Sequence, residues 1–327
     1  MDTGTHLVIG LGLAGLAYID PVVASNSELA TAVLIGTIVG QQAPDFDTIM
    51  RVKGSAAYIK NHRGISHSLP AIVIWTMLIT LSLQLFFTGL PLFHLGLWVL
   101  ISVAVHVFSD MFNAYGTQAL RPITKKWIAW NIIHIFDPVI FTTHIIAILI
   151  WATKLADPGV VFPILYSLLI VYYVVRVFQH SKWERQLPMI DKTFIEGERY
   201  MLIPTIHFLR WNVVKQKLDN NYALGELRSG WLHWVDTTRS DQHSAVEASR
   251  SHPNIQAFLG FTSTVCAEVK HHSWGSEVRW TDVRYRHRKN YPFVAVVLMD
   301  HDLNPLSSYV GWMNEDRVEK KLGLNSL

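Results

Sequence analysis

The sequence predicts a polytopic α-helical membrane domain of about six spans, residues 1–178, followed by a cytoplasmic α+β domain of mostly antiparallel strands, residues 179–327. Three observations predict it. Of the chain, 50% is hydrophobic and only 16% is charged, well under the roughly 25% usual in soluble domains. The long apolar runs stop near residue 178, and beyond it charge, Trp and His become frequent. There, period-two alternation replaces continuous apolarity. A net charge of +3 is too small to argue for nucleic acid, and no direct nucleic-acid binding is expected. The one cysteine, Cys266, cannot form an intramolecular disulfide and reads as a small strand residue.

The N-terminus lacks the basic region and small-residue cleavage site of a removable signal, so His6 is expected to stay in the mature protein. Residues 7–19 and 29–40 are apolar and Gly-rich but nearer a dozen residues than twenty, and become full spans only with their polar ends counted. Their glycines suit close helix packing. From 69 to 109 there is no Asp, Glu, Lys or Arg, and the break at Gly89-Leu90-Pro91 divides the run into a hairpin of two spans. Further spans are expected near 133–153 and 159–176. Basic residues collect in alternate connections: Arg51, Lys53, Lys60 and Arg63 in one, Arg121, Lys125 and Lys126 in another, then the tail. The connections at 20–28 and 88–92 have none and that at 153–158 has Lys154 alone, which puts both termini in the cytoplasm. The tail reads as strands at 200–205, 211–218, 222–227, 231–236, 277–285 and 293–299, with helices at 241–250 and 254–258.

On this topology His6, Asp45, Asp47, His62, His67, His106, Asp110, His134 and Asp137 fall near the cytoplasmic ends of their spans. His106 and Asp110, four apart, share one helix face. Taken singly each group has a plain alternative. His106 can be a core histidine, Pro44-Asp45-Phe46-Asp47 a capped turn, and His62-Arg63-Gly64-Ile65-Ser66-His67-Ser68 a basic interfacial loop whose Ser66 caps the next helix. Together they offer imidazole nitrogens and carboxylate oxygens at one depth, the donor set of zinc or manganese, and a shared ion offsets the cost of burying the charges.

Thr5-His6, Pro44-Asp45-x-Asp47, His62-Arg63-Gly64-x-Ser66-His67-Ser68 and His106-x-x-x-Asp110, in this order and between apolar segments, resemble the YdjM family of bacterial inner-membrane proteins, described as metal-dependent hydrolases and associated with LexA. The resemblance covers residues 1–180. More loosely, the order is similar to the zinc-dependent phospholipase C family, whose soluble fold has no place for apolar spans this long. The YdjM resemblance implies a divalent metal, zinc or else manganese, held by His6, Asp45, His67, His106 and Asp110, with His62 and Asp47 as alternates or outer partners. It further implies a hydrolase in which water is activated at the cytoplasmic interface, Asp47 accepts its proton, and Arg63 steadies a developing anion or a phosphate. Arg63 also fits a plain positive-inside role, and Ser66 and Ser68 read as orienting groups.

The expected substrate is a lipid-associated or small ester or phosphoester, and the expected surroundings are the lipid bilayer of a bacterial cytoplasmic membrane. The alternative is a membrane-bound regulatory or sensory protein whose tail binds a cytoplasmic partner and whose metal is structural. A transporter fits less well, because neither repeated halves nor a midplane carboxylate pair is visible. In the tail, His271, His272, His287 and His301 lack tight ligand spacing, and Trp231, Trp234, Trp274 and Trp280 read as strand core. The run Arg284, Arg286, Arg288 and Lys289 suits either anionic lipid headgroups or a solvated strand face.

Overall fold

A computed structural model of the chain describes residues 1–285, 293–312 and Leu322. Two compact units interleave along the sequence. The first holds Met1–Asp47, Arg63–Trp183 and Pro204–Phe208, and the second Thr48–His62, Glu184–Ile203 and Leu209–Leu327.

The first unit is helical, and polar caps set where its helices start. Asp2 caps α1 (Thr3–Leu16), Asp20 caps α2 (Pro21–Ser25) and Asn26 caps α3 (Ser27–Gln42), each accepting from a backbone N–H of the first turn. A 3-10 stretch, Pro44–Lys53, leads toward α4 (Ser55–Asn61), which belongs to the second unit. The chain returns through a short 3-10 turn, Ile65–His67, to α5 (Leu69–Phe86). Ser68 caps α5 by accepting from Ala71 N–H at 3.3 Å. A turn through Gly89, at φ +79°, where a side chain would be strained, folds α6 (Leu92–Met111) back on α5. Asp137 caps α7 (Pro138–Ala152), and α8 (Pro158–Ile190), whose residues from Glu184 on belong to the second unit, completes the set.

Among the described residues three helices, not six, are long and apolar enough to cross a membrane: α5, α6 and α8. The expectation of six is not confirmed, and length is the reason. The 14, 16 and 15 residues of α1, α3 and α7 rise only about 21–24 Å, against a hydrocarbon core of about 30 Å.

Packing between α3 and α6 positions the site. Leu95, Val99 and Val103 of α6 are buried with Leu29, Ala32 and Val33 of α3. A Cβ on Gly36 would lie 2.7 Å from Val99 Cγ2, and one on Gly40 3.1 Å from Ser102 Oγ, so the missing side chains admit this approach. Ile9 and Leu13 of α1 pack with Ile140 and Ala147 of α7 and Phe162 and Leu165 of α8.

The second unit holds two four-stranded sheets. One has the order β1 (Arg199–Pro204, of which Pro204 belongs to the first unit), β2 (Arg210–Gln216), β3 (Tyr222–Arg228), β4 (Trp231–Thr238). After α9 (Ser244–Ser249) and α10 (Pro253–Phe261), the other runs β5 (Val265–His272), β6 (Gly275–Asp282), β7 (Phe293–Met299), β8 (Pro305–Trp312), with antiparallel neighbours. All seven residues of β7 are buried, and its inward side packs with Ile59 of α4, Phe258 of α10 and Val310 of β8. The first sheet closes around Lys215, whose Nζ meets Asp191 Oδ2 at 2.9 Å and Glu198 Oε2 at 3.2 Å with all three side chains buried.

Of the four tryptophans read as core, Trp280 is buried, donating to Ser249 Oγ at 2.9 Å, while Trp231 is 82% exposed. Arg284 is buried and forks onto Asp282, so it does not present a basic face. Arg286, His287, Arg288 and Lys289 lie outside the described residues.

Candidate metal centre

Three elements of the first unit meet at one point. The 3-10 stretch after α3 brings Asp45, the turn before α5 brings His67, and one face of α6 brings His106 and Asp110. His67, His106 and Asp110 are fully buried and Asp45 is partly exposed. His67 Nε2 lies 3.2 Å from His106 Nε2, 3.4 Å from Asp45 Oδ1 and 3.5 Å from Asp110 Oδ2. His106 Nε2 lies 3.8 Å from Asp45 Oδ1 and 3.7 Å from Asp110 Oδ2.

The partners of the other ring nitrogens fix the tautomers. His106 Nδ1 lies 2.7 Å from the Gln41 carbonyl oxygen, which can only accept, so Nδ1 carries the proton and Nε2 turns a lone pair inward. Ser66 donates its hydroxyl proton to Asp47 Oδ2 at 2.5 Å and lies 3.0 Å from His67 Nδ1, which therefore donates to it. His67 Nε2 is thus also a lone pair. The two imidazole lone pairs then lie 3.2–3.8 Å from each other and from the two carboxylate oxygens, and neither Asp45 Oδ1 nor Asp110 Oδ2 accepts a hydrogen bond among the described residues. Four acceptors converging in a buried space repel unless a cation lies among them, and this donor set can hold a metal ion.

Outside the helices, electrostatics agree. Burial is the largest effect on the His67 imidazole and pushes it below its ordinary value, toward the neutral ring a metal requires, against Asp45 and Asp47.

The remaining expected site residues fall around this core. His6, on α1, stacks on His106 with ring centroids 3.8 Å apart; its Nδ1 meets Gln41 Oε1 at 3.0 Å and its Nε2 lies 3.5 Å from Asp110 Oδ1. Asp110 therefore turns one oxygen to His67 and His106 and the other to His6, to the Met1 amino group and to Arg63 at 3.3 Å. Arg63, 4% exposed with φ +59°, also bonds Asn113 Oδ1 and the Met1 carbonyl, each at 3.2 Å. Asp47 sits on the Nδ1 side of His67 and accepts from Ser66 Oγ and from Arg63 N–H at 2.9 Å. His62 belongs to the second unit, where it follows α4 and stacks on Tyr58. Asp137 is held by its cap to α7 and by the Tyr172 hydroxyl at 2.7 Å, and His134 bonds the Phe136 carbonyl.

Two amides were not anticipated. Gln41 spaces His6 and His106 and donates to the Ser102 carbonyl at 2.7 Å, and Asn113 joins Arg63 to Asp110. The available signal was position: Gln41 ends the apolar run of α3, and a buried amide needs partners.

Comparison with known proteins agrees with this layout. The family described as YdjM inner membrane protein matches residues 1–183. The domain described as YfhP C-terminal alpha/beta plait domain matches residues 244–322, which take in α9, α10 and the β5–β8 sheet. The chain is 42% identical over 331 residues to Uncharacterized protein YfhP of Bacillus subtilis (strain 168), covering the whole of both chains. No solved structure matches. Matched over more than half of its length, the chain belongs to the YdjM inner membrane protein family.

Proposed function

We propose that the protein is a multi-pass membrane hydrolase, and that Asp45, His67, His106 and Asp110 hold a zinc ion at which an ester or phosphoester is cleaved. The observation that carries this reading is the inward turn of two imidazole lone pairs and two carboxylate oxygens. Donors on a tetrahedral ion with bonds of about 2.0–2.1 Å are about 3.3–3.4 Å apart. The separations that involve an imidazole nitrogen, 3.2–3.8 Å, surround that value. A divalent cation supplies Lewis acidity there, which makes water a usable nucleophile near neutral pH.

The protein's own groups have definite roles. Gln41 and Ser66 hold the imidazoles so that Nε2 faces inward, and Arg63 balances the second oxygen of Asp110. Asp47 acts through Ser66 and His67 as a positioning residue rather than as the proton acceptor. Asp45 is the one member of the four with appreciable exposure, 19% of its side chain, and so marks where substrate and water reach the site. Arg63 is committed to Asp110, Asn113 and Met1, and this supports charge balance over phosphate binding.

Elemental analysis of the detergent-purified protein, paired with hydrolysis of p-nitrophenyl esters and bis-p-nitrophenyl phosphate, tests the proposal. Stoichiometric zinc is expected, lost in His106→Ala and Asp110→Ala, with hydrolysis lost on chelation and restored by zinc. Protein without stoichiometric transition metal, or His106→Ala with unchanged metal content, refutes it. Metal without hydrolysis of any ester refutes the catalytic half.

A further inference from the structure

The turn that joins β1 to β2 has the wrong composition for one facing water. Thr205-Ile206-His207-Phe208-Leu209-Arg210 contains none of the Gly, Asn, Asp, Pro or Ser that turns favour. The β2–β3 turn, by contrast, is built on Asp219-Asn220-Asn221 and the β3–β4 turn on Ser229-Gly230. Ile206, His207, Phe208 and Leu209 are exposed in succession, Ile206 by 50% and Phe208 by 39%. The turn is nonetheless held in shape, since His207 N–H donates to Thr205 Oγ1 at 3.2 Å. Single exposed apolar side chains are ordinary, but three among four successive residues make a patch that something apolar covers.

The anchoring of the turn identifies what that is. Within the first unit, to which Pro204–Phe208 belong, the buried Arg176 of α8 donates to the Phe208 carbonyl oxygen at 2.7 Å and to the Ile132 carbonyl oxygen at 3.0 Å. The Phe208 ring lies 6.0 Å from that of Tyr172, one turn before Arg176, so the turn is laid along α8. From Pro158 to Arg176 that helix rises about 27 Å, close to the roughly 30 Å of a bilayer's hydrocarbon core. Arg176 therefore stands where hydrocarbon gives way to headgroups. Two more aromatics are partly exposed on either side of Ile132, Trp130 by 38% and Phe136 by 39%. Such rings gathered at one end of a spanning helix mark the membrane interface. The apolar surface of α8 runs on past this level, with Val174 52% and Phe178 74% exposed.

We infer that the β1–β2 turn is a membrane wedge: Ile206 and Phe208 enter the interfacial layer of the bilayer that α8 crosses, and Arg176 fixes the turn at that depth. Continuity with the exposed apolar side of α8 favours lipid over a protein partner, which would have to displace lipid from α8 to reach the turn. The inference rests on α8 crossing a bilayer and not on hydrolysis at the metal centre.

The test uses the full-length protein in phosphatidylcholine vesicles, with a bimane fluorophore on Ile206→Cys or Phe208→Cys; the native Cys266 is buried and stays unlabelled. Ile170→Cys, at an exposed position within α8, is the lipid reference, and Leu218→Cys, exposed beyond the far end of β2, is the water reference. Both turn labels should lose most of their emission to phosphatidylcholine brominated high on its acyl chains and less to lipid brominated near the chain ends, as expected for side chains settled about 5–10 Å into the interface. Turn labels quenched by aqueous iodide as strongly as the Leu218 label, and untouched by bromine, overturn the inference. Turn labels that neither reagent quenches also overturn it, because a protein or a second copy of the chain then covers the turn. In both cases a quenched Ile170 label leaves α8 in the membrane, whereas an unquenched one removes the membrane reading and the inference with it.

Discussion

Ser66→Ala removes one hydroxyl that touches no inward-facing donor atom, and it should weaken metal binding by about 10–100-fold. The hydroxyl lies 3.0 Å from His67 Nδ1 and 2.5 Å from Asp47 Oδ2, so it relays a carboxylate's charge to the imidazole. Asp47 cannot replace it directly, because its oxygen is 3.7 Å from Nδ1, beyond hydrogen-bond reach. The bond belongs to a charge-assisted chain, worth about 1.5–3 kcal/mol, and outer-sphere partners of metal-bound histidines generally contribute about 10–100-fold in affinity. The two ranges describe the same loss, since about 1.4 kcal/mol is tenfold. Competition against a chromophoric zinc chelator on detergent-purified protein reads it directly. Ser66→Thr, which keeps the hydroxyl, should recover most of the affinity. If Ser66→Ala binds zinc as tightly as the unmodified protein while His106→Ala does not, His67 is not oriented from its Nδ1 side and the tautomer argument fails.

Lys215→Met should destabilise the β1–β4 sheet by about 3–5 kcal/mol, because it leaves Asp191 and Glu198 buried without their cation; faster amide exchange across β2 and β3 checks it, and unchanged exchange refutes it. Acid should loosen the same sheet. Burial, the largest effect on the Asp191 carboxyl, raises it, but hydrogen bonds from Lys215, Tyr200 and Thr193 outweigh this and hold it well below its ordinary value. Its stabilisation is therefore complete above the unfolded value of about 3.9 and is lost as pH falls below it toward the folded value; amide protection in β2 and β3, taken relative to the intrinsic exchange rate at each pH, should fall from pH 5 to pH 2 in the unmodified protein and stay flat in Asp191→Asn. Gly36→Ile pushes a branched side chain against Val99 and should cost about 1–3 kcal/mol of helix packing, with lower thermal stability and looser metal as readouts; unchanged values for both would show that α3 and α6 have room to separate.

The helical hairpin was legible because nothing charged interrupts residues 69–109, so hydropathy and length alone place α5 and α6. Meeting of Asp45, His67, His106 and Asp110 was legible only as a shared depth, since no local rule fixes which helix faces turn together. The alternative in which Ser66 caps α5 is two residues off. Ser68 caps the helix, whereas Ser66 is taken up by Asp47 and His67. Strands β5 and β8 escaped notice for different reasons. The first carries Glu268, Lys270, His271 and His272 in a nearly continuous polar stretch, and the second opens on Pro305 with Ser307, Ser308 and Gly311 along it. Gln41 and Asn113 carry no charge and no motif, so beyond the position of Gln41 at the end of an apolar run their bridging partners emerge only from coordinates.

Helix α4 has an awkward birth. Ile59 lies in the same apolar cluster as Phe258 and Val310, so the helix leaves the ribosome long before the strand that completes its surroundings. Some 250 residues, α5 to α8 included, must be translated in between. At roughly 5–20 residues per second that wait lasts about 13–50 s. Nor can a single cut liberate the C-terminal sheets intact, since a fragment starting at Glu184 lacks Ile59 and the rest of that helix. Expressing the two halves as separate chains therefore requires carrying residues 48–62 along with the second.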